Sequence, residues 1–444
     1  MKNPNTPSAI DAYHSVSQSN EDVQIYKGKI NLRNKVGKTI IGDGEILFKW
    51  LPSPTIRFQF KADGISNIEK NIFEEIFIDI PKIDVVGLRA LILSNKFNSN
   101  STQLALTGRI CEELPLQEET LTELFFDVPN YLDYFGKPII REEKLERGRL
   151  ILEADGWIIK IDTLNDVNDR INVVKSTGGY IITHAGKLCR VDHSSFSFEE
   201  TIKIRRTLTY WLAFSNGKWS SPLFWRSNKR VQYSIPALNQ WRVVSSWFPL
   251  LECGEVPHTF NKLFELLTDK TWKDSIGLAI YWYIHANTCS GGVEGSLVLN
   301  QTALEMLAWT YLVESENILS NNAWKKLGNA TSRIERLLKE LELPTHLLQS
   351  ECPNLYAWSR SAGEQKSGPQ AIVDIRNTFV HPTSKNLHDA LSVSFDVKVE
   401  AWKLSLLYLE SIILSLLEYE GPIYSRFRSG LPAELKVNKP WLSV

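Results

Sequence analysis

The sequence predicts an α+β protein of more than one domain, with a β-rich N-terminal part followed by an all-α helical bundle. Three observations carry that expectation. The chain has 444 residues, more than one ordinary hydrophobic core organises. In its first half, β-branched and aromatic residues alternate with polar ones between glycine and aspartate turn signals. From about Val256 the apolar residues recur at helical spacing instead.

Residues 1–20 contain no apolar core segment, so they read as a disordered tail rather than a secretory signal. Strands are expected over 23–34, 38–51 and 55–62. In the last of these Ile56, Phe58 and Phe60 fall on one face and Arg57, Gln59 and Lys61 on the other. Further strands are expected over 85–94, 149–164, 179–191 and 231–236, with a helix over 199–215. These elements make up a β-rich domain of residues 21–250. The period changes within "FPLLECGEVP", so a boundary is placed near 245–257. Beyond it, Phe260, Leu263, Phe264 and Leu267, then Leu297, Leu304, Leu307, Ala308 and Tyr311, repeat at helical intervals. The segments 323–343 and 398–419 do the same. A bundle of four to six helices is therefore expected over 255–425, with residues 426–444 as a C-terminal tail.

Charged residues make up 23% of the chain and the net charge is −1, which argues against a protein whose whole surface attracts nucleic acid. Five cysteines, widely spaced and without a CxxC pair, point to reduced thiols and a cytoplasmic protein rather than a disulfide scaffold or zinc site. The apolar runs 276–286 and 404–418 are too short, or too broken by Glu410 and Glu418, for a membrane span of about 20 residues, and read as core helices. No phosphate-binding GxxxxGK[ST] loop, GxSxG elbow, HExxH motif or clustered aspartate pair occurs, so no cofactor and no metal is implied.

The chemistry-bearing stretch is "PQAIVDIRNTFVHP", residues 369–382. Pro369 suits a helix start, and Ile372, Ile375 and Phe379 form a buried stripe. Pro382 disfavours the α region at His381, so the helix should end there. Asn377 and His381 are four apart and share a face. Arg376 lies five before His381, so on a regular helix the two point about 140° apart. They meet only if the helix end frays or a second copy supplies the other side chain across a two-fold axis. Left to itself, a histidine before proline at a helix end is often just a cap.

The pattern Arg376-Asn377-x-x-x-His381, late in a helical bundle, resembles the HEPN superfamily, and Arg376 is the one arginine in the chain with histidine five residues later. The resemblance covers roughly 255–425. The layout, with a β-rich half before the bundle and stretches such as "GDGEILFKWLPSP" and "VEGSLVLNQTALEMLAW", looks like the ApeA-type HEPN proteins of bacterial anti-phage defence. The resemblance implies a HEPN-like bundle that pairs as a homodimer and a metal-independent endoribonuclease leaving a 2′,3′-cyclic phosphate. Arg376, Asn377 and His381 would be its catalytic residues, and RNA its substrate. It also implies a role in abortive infection and an N-terminal domain that senses a phage-derived or nucleic-acid trigger or restrains the active groove. Two other readings are a HEPN-like module that dimerises and holds RNA or protein without cleaving, and the toxin of a HEPN/nucleotidyltransferase pair.

Other residues carry weaker expectations. Gln301 and Glu305 share a helix face and, with Glu294, are candidates to brace Arg376; a solvated edge is the alternative. The basic clusters 203–207, 225–230 and 424–428 stand beside aromatic residues and suit phosphate and base contacts, or else simply solvated faces. His285 reads as a core residue. His184 and His193 lack neighbours at metal-ligand spacing, and His388 reads as a surface loop residue.

Overall fold

Alternation from Val23 to Ile110 closes on itself as a barrel. Its strands are β1 (Val23–Asn34), β2 (Thr39–Lys49), β3 (Thr55–Ala62), β4 (Ile76–Ile80), β5 (Val85–Asn98) and β6 (Gln103–Ile110), antiparallel in the order β1-β2-β3-β6-β5-β4. The computed structural model describes residues 6–14, 18–63, 76–98, 102–114, 120–227, 230–235, 237–360, 364–381, 383, 388–389, 391–428 and 436–437. A barrel this narrow is filled by its own side chains. Ile30, Phe48, Ile56, Phe58, Ile78 and Leu106 are buried inside, while Arg57, Gln59 and Lys61 face out, as the alternation predicts. Gly108 is required by close approach: a Cβ there would lie 2.2 Å from the Leu91 carbonyl oxygen and 2.3 Å from the Phe58 ring. Strand β4 was not anticipated because it has only five residues.

The second sheet has the order β12-β7-β11-β10-β9-β8. Its members are β7 (Glu123–Pro129), β8 (Lys137–Arg141), β9 (Lys144–Ala154), β10 (Trp157–Thr163), β11 (Ile182–Arg190) and β12 (Leu223–Arg226). The stretch expected as one strand over 149–164 is a hairpin. Asp155 and Gly156 both take positive φ, 51° and 73°, which is the backbone of a two-residue hairpin turn. The expected strand at 231–236 is reduced to isolated bridges at Val231 and Tyr233. Strand β12 went unseen because all four residues are buried, which leaves no alternation to read. Helices α1 (Val167–Thr177) and α2 (Ile202–Asn216) follow β10 and β11.

Residues 7–14 are not a free tail. They run as a strap along the second sheet, where Ala9 N–H donates to the Ile140 carbonyl at 2.9 Å. Two buried carboxylates hold the strap from below: Asp162 accepts from Ile10 N–H at 2.8 Å and Asp127 from Tyr13 N–H at 3.2 Å. Each carboxylate is also paired with a buried arginine, Asp162 with Arg149 at 2.6 Å and Asp127 with Arg226 at 3.3 Å.

The helical part comprises α3 (His258–Thr268), α4 (Lys273–Asn287), α5 (Gly292–Trp309), α6 (Asn321–Leu327), α7 (Ala330–Glu340), α8 (Pro353–Arg360), α9 (Gly368–Val380) and α10 (Phe395–Leu416). The described residues thus hold more helices than the four to six expected, because α6 and α8 are too short to show a full period. The runs 276–286 and 404–418 lie in α4 and α10 and are mostly buried. Among the described residues no helix is long and apolar enough to cross a membrane.

The period changes near 250, but the hydrophobic core divides near residue 115. One cluster fills the barrel and its seam with the second sheet, through residues such as Tyr180, Phe224 and Tyr233. The other runs from Leu121 through the second sheet and α2 into the bundle. Within it His184 is fully buried, stacked on Tyr134 with ring centroids 5.2 Å apart. Burial pushes its imidazole down to about 3. The neutral form is thus the one that folding favours. Stability from this group is complete above its ordinary value of 6.5 and is lost as pH falls toward 3. The unfolding free energy from urea denaturation should therefore carry a contribution that falls by about 1.4 kcal/mol per pH unit below 6, and His184→Phe should remove that contribution. An unchanged slope in the variant would refute the assignment.

Candidate functional site

Helix α9 begins as its sequence dictates. Ser367 caps it by accepting from Gln370 N–H, and Pro369 occupies the first turn, where no amide hydrogen is needed. Ala371, Ile372 and Ile375 are buried against neighbouring helices, and Phe379 is partly buried beside them. The helix stops at Val380. His381 leaves the α region with φ −99° and ψ 105°, while its N–H still reaches the Asn377 carbonyl at 3.3 Å. The helix end expected at His381 is therefore present, although Pro382 itself lies outside the described residues.

Arg376 and Asn377 are half-buried and His381 is exposed. Arg376 Nη1 donates to Asn377 Oδ1 at 3.2 Å, while Arg376 Nε is enclosed without an acceptor. No carboxylate among the described residues forms an ion pair with this guanidinium. Beside α9 lies an open cleft of about 390 Å³, with Asp374, Asn377 and Thr378 on one side and Trp358, Asp389 and Ser392 on the other. Neither Arg376 nor His381 lines it. Of the three predicted site residues, one copy of the chain therefore brings Arg376 and Asn377 together and presents His381 at the helix end, and this cleft takes in Asn377 alone.

The expected braces go elsewhere. Glu305 pairs with Arg333 of α7 at 3.2 Å and accepts from Gln301 at 3.0 Å. Glu294 pairs with Lys398 at 3.2 Å, whose ammonium also lies 5.2 Å from the centre of the Phe379 ring. Arginines of the three basic clusters are likewise engaged within the chain, while Lys203 and Arg206 stay exposed. Arg205 lies 3.9 Å from the Phe198 ring centre, Arg226 pairs with Asp127, and Arg230 reaches Asp84 at 3.5 Å. Arg426 is buried on Glu410 and Arg428 reaches Glu351 at 3.7 Å. Residues 228–229 of the second cluster lie outside the described residues. His285 is half-buried with its ring 4.3 Å from that of Tyr281, and burial lowers its pKa. His193 and His388 are exposed.

Asp374 was passed over, yet it sits three residues before Asn377 on the same face, a spacing that could have flagged it. Lys366 at 2.9 Å and Gln370 at 2.6 Å hold its carboxylate in the cleft. Trp358 and Asp389 come from distant segments, and nothing local marks them as its neighbours.

The YopA central domain family matches residues 116–243 and the YopA C-terminal domain family matches residues 269–436. The first match starts just past β6, where the hydrophobic core divides. No solved structure matches the chain. The chain is 26% identical over 447 residues to the SPbeta prophage-derived uncharacterized protein YopA of Bacillus subtilis (strain 168), with 95% of each chain covered. The stretch bearing Arg376, Asn377 and His381 thus lies in the part of the chain that is similar to a YopA C-terminal domain.

Proposed function

We propose that the protein is a cytoplasmic, metal-independent endoribonuclease of HEPN type acting as a homodimer, in bacterial anti-phage defence. The observation that carries this reading is the end of α9. An arginine with no carboxylate partner among the described residues and its neighbouring asparagine are followed, just past the last helical residue, by an exposed histidine. The reading rests on those residues and on the HEPN resemblance; the descriptions of the matched relatives name no activity.

Each residue type suits one step. An imidazole takes the proton from a ribose 2′-OH near neutral pH. The alkoxide attacks the adjacent phosphorus, and the P–O5′ bond breaks. Charge gathers on the non-bridging oxygens, where the planar fork of Arg376 matches the geometry. His381 of a second copy returns a proton to the leaving 5′ oxygen. The products are a 2′,3′-cyclic phosphate and a 5′-hydroxyl. DNA lacks the attacking group and is not cut.

The test is incubation of labelled RNA with the full chain in EDTA, followed by end-group analysis. Wild type should cleave and leave cyclic phosphate ends, and DNA of the same sequence should stay intact. Loss of cleavage in EDTA would refute the metal-free step. The placement of Asn377 in a cleft without Arg376 or His381 favours a second reading, a HEPN-like module that binds without cutting. Retained RNA binding with no cleavage of any RNA would select it.

A further inference from the structure

The outer face of the barrel pairs its charges in two different ways. Across β1 and β2, opposite charges face each other: Lys27 stands opposite Glu45 and Lys29 opposite Asp43, the latter closed at 3.0 Å. Across β3 and β6 the register sets Arg57 directly opposite Arg109. Like charges in this position destabilise an antiparallel pair. Continuing the row outward, Leu47 lies opposite Arg57 and Leu91 opposite Arg109, so no acid flanks either arginine in that row. Glu45 is diagonal to Arg57 and already stands opposite Lys27. Neither guanidinium has an ion-pair partner among the described residues, and Arg57 Nε is enclosed without any acceptor. This contrasts with clusters 203–207, 225–230 and 424–428, whose described arginines are largely engaged within the chain.

We propose that this face of β3 and β6 binds the phosphate backbone of a single-stranded nucleic acid. Two arginine forks side by side supply the donors a phosphodiester accepts, and a bound phosphate removes the repulsion that the register builds in. Lys61, four residues along β3 or about 13 Å away, offers a second contact on the same face, with Gln59 between them. The outer surface of a closed barrel is convex, whereas small-molecule sites are concave, so an extended strand fits better than a free nucleotide. The exposed Leu91 and half-buried Leu47 give unpaired bases an apolar surface beside the arginines. The binding is independent of cleavage and of the ribonuclease reading.

The experiment is fluorescence anisotropy of a labelled 15-nucleotide oligo(dT), which the proposed chemistry cannot cut, against the full chain over a salt series. Arg57→Gln with Arg109→Gln should weaken binding about tenfold at low salt and reduce the slope of log K on log salt by about 1.4, two phosphates' worth. Lys27→Gln with Lys29→Gln should leave both unchanged. Equal binding by all three proteins would overturn the proposal, and so would binding of polyglutamate in place of the oligonucleotide. Folding is checked independently: relieving the Arg57–Arg109 repulsion should hold or raise the thermal midpoint, and a fall would overturn the argument from register.

Discussion

Replacing Arg426 by methionine is expected to destabilise the protein by about 3–5 kcal/mol. The guanidinium sits in the bundle core, where Nε donates to Glu410 Oε2 at 2.6 Å and Nη2 to Glu410 Oε1 at 2.5 Å. Nη1 donates to Asn287 Oδ1 at 2.9 Å, and Tyr283 adds its hydroxyl to Glu410 at 2.6 Å. Asn287 in turn donates to the carbonyls of Gly217 and Ser245, so the network ties α4, α10 and the end of α2 to the segment around Arg426. Removing the arginine leaves a carboxylate with no exposed surface and no cation beside it. The size of the effect comes from that orphaned charge, since burying an intact ion pair is close to neutral. Hence Arg426→Met with Glu410→Leu should recover most of the loss. Urea unfolding at constant m-value measures both variants. A single variant within 1 kcal/mol of wild type, or a double variant no better than the single, would show that the network does not hold the core.

This network also shows where sequence reading stops. Glu410 was legible only as a break in an apolar run, enough to argue against a membrane span. Its partner was read as the first residue of a C-terminal tail, because nothing local announces an ion pair closed across the bundle. The strap of residues 7–14 is a similar case. "PSAIDAYH" has no period, and its order comes from Asp127 and Asp162, which lie far along the chain. By contrast β1 and β3 were legible to the residue, β1 from its β-branched and aromatic residues between turn signals and β3 because its alternation records one wet face and one dry face. The end of α9 was legible for a local reason as well, the restriction that Pro382 places on the residue before it. What the local pattern could not supply was the cleft, whose far wall is built from Trp358 and Asp389.

His381→Ala is expected to slow RNA cleavage by about 10²–10⁴-fold, the range for losing a general acid or base. The side chain is exposed at the helix end, so its removal should leave the fold and its unfolding midpoint unchanged. That separates the loss from a stability effect. The same variant tests the dimer. Neither Arg376 nor His381 lines the cleft beside α9, and the proposed step uses a histidine from each of two copies as base and acid. Mixed pairs of wild type and His381→Ala then hold one histidine and are inactive. Adding a threefold excess of His381→Ala to a fixed amount of wild type, with time to exchange subunits, should cut the rate to about a quarter, the fraction of wild-type chains that still meet a wild-type partner. If each chain worked alone, the excess would change nothing. Arg376→Lys gives the complementary measurement. It keeps the charge but loses the fork, so binding of RNA should persist while cleavage falls by about 10²-fold or more. An equal loss of binding and cleavage in Arg376→Lys would assign the arginine to holding RNA rather than to the reacting phosphate.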